Sequence, residues 1–144
     1  MRLVATLLTI LALAACQAPP KEPDPAAVEA AAEATIKAIP APDSSKFNNI
    51  HSVMKWDNPY LVITRGGVDL VDYRNNEVRH LKPDEVVLAL GKLPPSAWPY
   101  GRVVAASENR VQAQGDDALI RKNRGIVAGT LEGLQVLINW LPSV

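Results

Sequence analysis

Tyr60-Leu61-Val62-Ile63-Thr64, then Arg65-Gly66-Gly67, then Val68-Asp69-Leu70-Val71-Asp72-Tyr73: two short runs rich in β-branched and aromatic residues flank a glycine pair. Such residues fit a pleated, half-buried surface, and adjacent glycines supply the backbone freedom that a tight turn needs. The stretch therefore predicts a β-hairpin. Arg74-Asn75-Asn76 marks a further turn, and Val78 to Leu81 is a short alternating run beyond it.

Downstream the pattern changes period. Pro83, with Asp84 and Glu85, opens a helix in the way that proline and acids favour a first turn. Val86, Val87, Leu90 and Leu93 then fall on one face, and Pro94-Pro95 stops the run. Within the run from Trp98 to Ser107, Arg102-Val103-Val104-Ala105-Ala106 has both faces apolar, as expected of a buried central strand. A polar stretch from Glu108 to Gly115 leads to Asp116 and Asp117, either of which caps a second helix. On that helix Ile120, Val127, Leu131 and Leu134 share a stripe, whereas Arg121, Lys122 and Arg124 lie largely elsewhere. Gly133 is placed to end it. Gly125 and Gly129 cost about 1 kcal/mol each relative to alanine unless they permit close packing on the sheet. Val136 to Leu141 alternates up to Pro142 and gives a last strand. The order is hairpin, helix, strand, helix, strand, an α+β domain with one small sheet and two helices packed on it.

Upstream, Pro40, Pro42 and Asp43-Ser44-Ser45 read as a flexible linker, which places the start of the domain at Lys46 and its span at 46–144. Pro25 to Ile39 is rich in alanine and glutamate, with Val28, Ala32, Ile36 and Ile39 in one weak helical stripe and Asp24 able to cap it. This predicts a helix, docked or free, serving as a spacer or as a partner-binding or dimerising element. From Gln17 to Pro25 four of nine residues are proline, a composition that favours an extended polyproline tether. Residues 16–45 thus read as tether plus short helix.

The N-terminus carries Arg2 and a thirteen-residue run from Leu3 to Ala15, broken only by Thr6 and Thr9. A membrane span needs about 20 apolar residues, so this is the apolar region of a signal peptide. The closing Leu13-Ala14-Ala15-Cys16 resembles the lipobox of bacterial lipoproteins. The resemblance implies removal of residues 1–15, a diacylglyceryl group on Cys16 and attachment to a membrane. Cys16 is the only cysteine, so it has no disulfide partner within the chain. Several acyl chains, at about 0.8 kcal/mol per buried methylene, hold a protein on a bilayer durably. By the same resemblance, Gln17 rather than aspartate after the cysteine implies the outer membrane of the cell envelope, facing the periplasm.

The region from Tyr60 to Leu141 resembles the periplasmic domain of biopolymer-transport proteins of the TolR and ExbD type. The likeness lies in element order, the glycine turn after the first strand, Arg102 to Ser107 as inner strand, and the closing Gly133-Leu134-Gln135-Val136-Leu137-Ile138. Those proteins carry a transmembrane helix with a proton-linked aspartate. Residues 3–15 here hold no acid, so motor function is not implied.

Fifteen Lys and Arg balance fifteen Asp and Glu, which leaves no field to recruit nucleic acid. Two histidines, His51 and His80, and a single cysteine leave a metal site dependent on carboxylates. Asp116-Asp117 are helix caps more simply than catalytic acids. No serine stands in a Gly-x-Ser-x-Gly setting, and Arg65-Gly66-Gly67 lacks the spacing of a phosphate loop. Neither an enzyme nor a cofactor or metal is expected. Two groups are candidate binding surfaces. Arg110, Arg121, Lys122 and Arg124 suit an acidic partner or the anionic parts of peptidoglycan, or are a solvated helix face. Trp98 and Tyr100, in Pro94-Pro95-Ser96-Ala97-Trp98-Pro99-Tyr100, form a recognition loop or lid the core. The expectation is a non-enzymatic envelope lipoprotein that binds another envelope protein or the cell wall, with small-ligand binding or an enzyme-accessory role as the alternative.

Overall fold

The glycine turn closes a hairpin between β1 (Tyr60–Ile63) and β2 (Val68–Asp72), with Tyr60 opposite Val71 and Ile63 opposite Val68. This is seen in a computed structural model that describes residues 23–109 and 118–142. The chain turns again through Asn76, at φ +53°, into β3 (Glu77–Leu81), so the hairpin grows into a three-stranded meander. The turn is held by the Asp72 carboxylate, which accepts from the backbone N–H groups of Arg74 and Asn75 and from the Asn75 side chain. A 3-10 turn at Pro83–Glu85 leads into α2 (Val86–Gly91), with α1 being Pro25–Lys37. At that turn the Lys82 N–H donates to the Glu85 carboxylate at 2.8 Å. The chain then forms β4 (Val103–Glu108), α3 (Ala118–Gly133) and β5 (Leu137–Trp140).

The strands form one mixed sheet in the order β3-β2-β1-β4-β5, with β4 parallel to both β1 and β5. The fold is α+β, as the sequence predicts. All five residues from Val103 to Ser107 are buried, which fits β4 as an interior strand. Alternation along the strands divides the interior in two. Leu61, Ile63, Leu70, Val104 and Ala106 face the helices, together with Val127 and Leu131 of α3. Tyr60, Val103 and Ala105 face the other way, against Phe47, Trp56 and Tyr100. These three rings pack edge-on or tilted with centroids 5.2–6.2 Å apart, the favourable arrangement for aromatic quadrupoles.

Two expectations change. A third helix belongs to the body: Ile36 of α1 is wholly buried and Ala32 nearly so. A Cβ added to Gly91 would lie 2.6 Å from the Ala32 Cβ, so α1 and α2 cross at a contact only glycine allows. The packed body therefore takes in α1, through Ala32 and Ile36, rather than beginning at Lys46. Residues 40–43 are likewise bonded down. The Pro40 carbonyl accepts from the Arg102 N–H at 2.8 Å, and the Asp43 N–H donates to the Tyr100 carbonyl at 2.9 Å. Gly101, at φ +80°, brings its backbone so close to this segment that a Cβ would meet the Ala41 carbonyl oxygen at 2.3 Å.

The end of α3 also differs in detail. Gly133 is its last residue, but the left-handed position is Gln135, at φ +57°. The Gln135 N–H donates to the Glu132 carbonyl and the Val136 N–H to the Leu131 carbonyl, the Schellman pattern. Arg102 ties this end to α1, donating to the Gln135 carbonyl at 3.0 Å and the Lys37 carbonyl at 2.9 Å. On the sheet side, the buried Asn123 donates to the Thr64 carbonyl at 2.9 Å and so fixes α3 to the hairpin turn. Asp116 and Asp117, expected as caps, lie outside the described residues.

A candidate binding groove at the sheet end

A groove of about 490 Å³ opens where β1 begins and β2 ends. Its walls come from the loop before β1 and from the strands. On one side stand Met54, Trp56, Tyr60 and Tyr73; on the other, Leu70, Leu93 and Ala97 with Glu77 and Arg79 of β3.

Asn58 builds the loop. Its side chain is buried and fully bonded, donating to the Gly101 and Val103 carbonyls at 2.8 Å each and accepting from the Tyr100 N–H at 2.9 Å. The Trp56 indole N–H donates to the Pro59 carbonyl at 3.2 Å. These bonds hold the loop as a fixed wall. Tyr60 stacks on Tyr73, with centroids 5.7 Å apart and ring planes 24° apart. Tyr60 is buried and its hydroxyl shares a 2.5 Å hydrogen bond with Ser107. Burial pushes the Tyr60 phenol above its ordinary pKa, and the bond to Ser107 offsets this in part. Tyr73 is 40% exposed, so its ring presents apolar surface to solvent on a rigid backing. Met54, at 72%, stands further out.

Charge rings these apolar groups. Arg74 pairs with Asp57 across the groove wall. Asp72 is held below the usual carboxylate range: burial raises its pKa, but the bonds from Asn75 and Arg74 outweigh that. Glu77 and Arg79 make no ion pair with any described residue.

The residues singled out from sequence fare differently. Trp98 and Tyr100 are both buried, in different clusters on opposite faces of the sheet, so they form part of the core and not a recognition loop. The Trp98 indole N–H has no hydrogen-bond partner among the described residues. Arg124 is engaged within the fold, pairing with Glu108 at 2.8 Å and lying 4.3 Å from the Trp140 ring centroid. Arg121 and Lys122 are exposed on α3. Arg110 and Cys16 lie outside the described residues. His80 bonds Asp69 at 2.7 Å on the open face of the hairpin, and His51 is exposed elsewhere. Among the described residues no three His, Cys, Asp or Glu side chains gather as metal ligands, and no helix is long and apolar enough to cross a membrane.

The groove itself was missed by sequence reading. Its signal was the cluster Trp56-Asp57-Asn58-Pro59-Tyr60, an aromatic and Asx-Pro loop at the head of the first strand. No protein family, curated protein or solved structure matches the chain.

Proposed function

We propose that the chain is a lipid-anchored protein of the bacterial cell envelope whose α+β body binds another envelope protein through this groove, without catalysing a reaction. The anchor rests on Leu13-Ala14-Ala15-Cys16. The binding role rests on one observation, a groove that exposes Met54 and a Tyr73 ring stacked on buried Tyr60, with Arg74 and Arg79 in its lining. Aromatic residues, methionine and arginine are the types enriched where proteins meet, and a prebuilt surface loses little entropy on binding.

Because α1 is docked, only the residues from Cys16 to Asp24 separate the lipid from the body. At no more than 3.3–3.6 Å per residue that chain spans about 30 Å. The partner is therefore itself at or near the membrane.

Photo-crosslinking from position 73 in cells, followed by identification of the adducts, tests the reading. An envelope protein captured at position 73 and lost on Met54→Asp supports it; adducts absent, or unchanged by Met54→Asp, refute it. The volume of the groove lies within the range of small-molecule sites, which favours ligand binding as the second reading. A rise in melting temperature with envelope metabolites, abolished by Tyr73→Ala, would decide for that reading.

A further inference from the structure

We infer that two copies of this chain pair through the outer edge of β3, antiparallel and centred on Val78. β3 is an edge of the sheet, so one row of its backbone donors and acceptors has no strand to pair with among the described residues. Proteins commonly protect such an edge with charged side chains, lysine above all. Here the charges are opposite and placed symmetrically: Glu77 and Arg79 flank Val78 and share the helix-side face, with Asp72 and Leu70 opposite them in β2.

An antiparallel pairing about a twofold axis through Val78 sets Glu77 of each copy across from Arg79 of the other. The interface is then self-complementary, as a twofold contact requires. Registers shifted so that Glu77 or Arg79 meets itself place like charges directly opposite and are disfavoured. The charge order therefore selects one register. On the opposite face Val78 is 51% exposed and meets its own copy, removing apolar surface from water. Because Glu77 and Arg79 also line the groove, the pairing sets the two grooves side by side.

The other sheet edge lacks this coding. β5 reads Leu137-Ile138-Asn139-Trp140, with no charge to fix a register. The inference is independent of what the groove binds.

Oxidative crosslinking of the full chain carrying Cys16→Ser, with single cysteines introduced, is the test. Directly opposed residues of an antiparallel pair lie about 4.5–5.5 Å apart at Cα, within disulfide range. Val78→Cys is expected to give a covalent dimer and Leu137→Cys none. Adding Glu77→Arg to Val78→Cys should cut the dimer about tenfold, and adding Arg79→Glu as well should restore it. That restoration separates register from folding, since the double change returns the same charges in swapped places. No dimer from Val78→Cys, equal dimer from Leu137→Cys, indifference to Glu77→Arg, or failure of the double change to restore pairing would each overturn the inference.

Discussion

Tyr60 joins the two sides of the structure, because its ring backs the groove while its hydroxyl reaches Ser107 in the interior strand. Its phenol has a pKa raised above the ordinary 10.0, chiefly through burial. An acid whose folded pKa exceeds its unfolded one holds its proton more tightly when folded. The stabilisation is complete below about pH 10 and is lost as pH rises through the folded value. Tyr100, raised first by burial, acts in the same direction. Tyr60→Phe is expected to lower stability at neutral pH by about 1–2 kcal/mol, because the buried Ser107 hydroxyl is left without its partner. It should also make the loss of stability above pH 10 shallower, with Tyr100 supplying the remainder. Urea unfolding from pH 7 to 11 measures both effects, and an unchanged alkaline slope would show that Tyr60 titrates as it does in the unfolded chain. Trp98 and Tyr100 show what a residue-level reading misses. They stand two apart and look like one aromatic loop, yet Trp98 adopts φ −123° and ψ 50° and Gly101 a positive φ. The irregular backbone sends the two rings to opposite faces of the sheet.

Among the elements, α3 was the most legible and α1 the least. Ile120, Val127, Leu131 and Leu134 carry large apolar groups at helical spacing, and all four are buried. The docking face of α1 offers Ala32 and Ile36, and its complement is a missing side chain at Gly91, which hydrophobic periodicity cannot register. Gly91→Ala is expected to cost about 1–3 kcal/mol by overpacking. Hydrogen exchange should locate the damage, with faster exchange over residues 28–38 and little change in β4. The end of α3 yields a prediction of opposite sign. Gln135 occupies a left-handed position that costs a residue with a Cβ roughly 1 kcal/mol. Gln135→Gly should raise the urea midpoint by about 0.5–1 kcal/mol in stability with an unchanged slope. Glycine at this position gives up the exposed 3.3 Å hydrogen bond that Arg102 donates to the Gln135 side chain, while the Arg102 bond to the backbone carbonyl remains. A fall in midpoint would mean that this side-chain bond outweighs the strain.

At the scale of the molecule, the layers explain why the sequence announced the class of fold but not its extent. The hairpin, the apolar strand Val103–Ser107 and the second helix carry strong local patterns, and they sufficed for a single α+β sheet. The groove and the aromatic face depend on residues 44–59, where short 3-10 turns and isolated rings have no periodicity to read. Residues 25–43 were divided from the domain because proline, aspartate and serine usually mark a linker. Here they lie along the backbone of residues 100–102, and their partners are more than fifty positions away in sequence. A body made of residues 46–144 therefore lacks one wall. It leaves Leu90 and Trp98 without Ile36 in the same core, deprives Arg102 of the Pro40 and Lys37 carbonyls, and opens the face of Gly91 to water. Burying an isoleucine alone contributes about 1.5–3 kcal/mol, against a total stability of about 5–15 kcal/mol for a domain. The expected outcome is that residues 23–144 unfold with the midpoint of residues 16–144. Residues 46–144 should be at least about 3 kcal/mol less stable or fail to fold. Circular dichroism melts of both fragments measure this, and equal midpoints would mean that α1 rests on the body without supporting it.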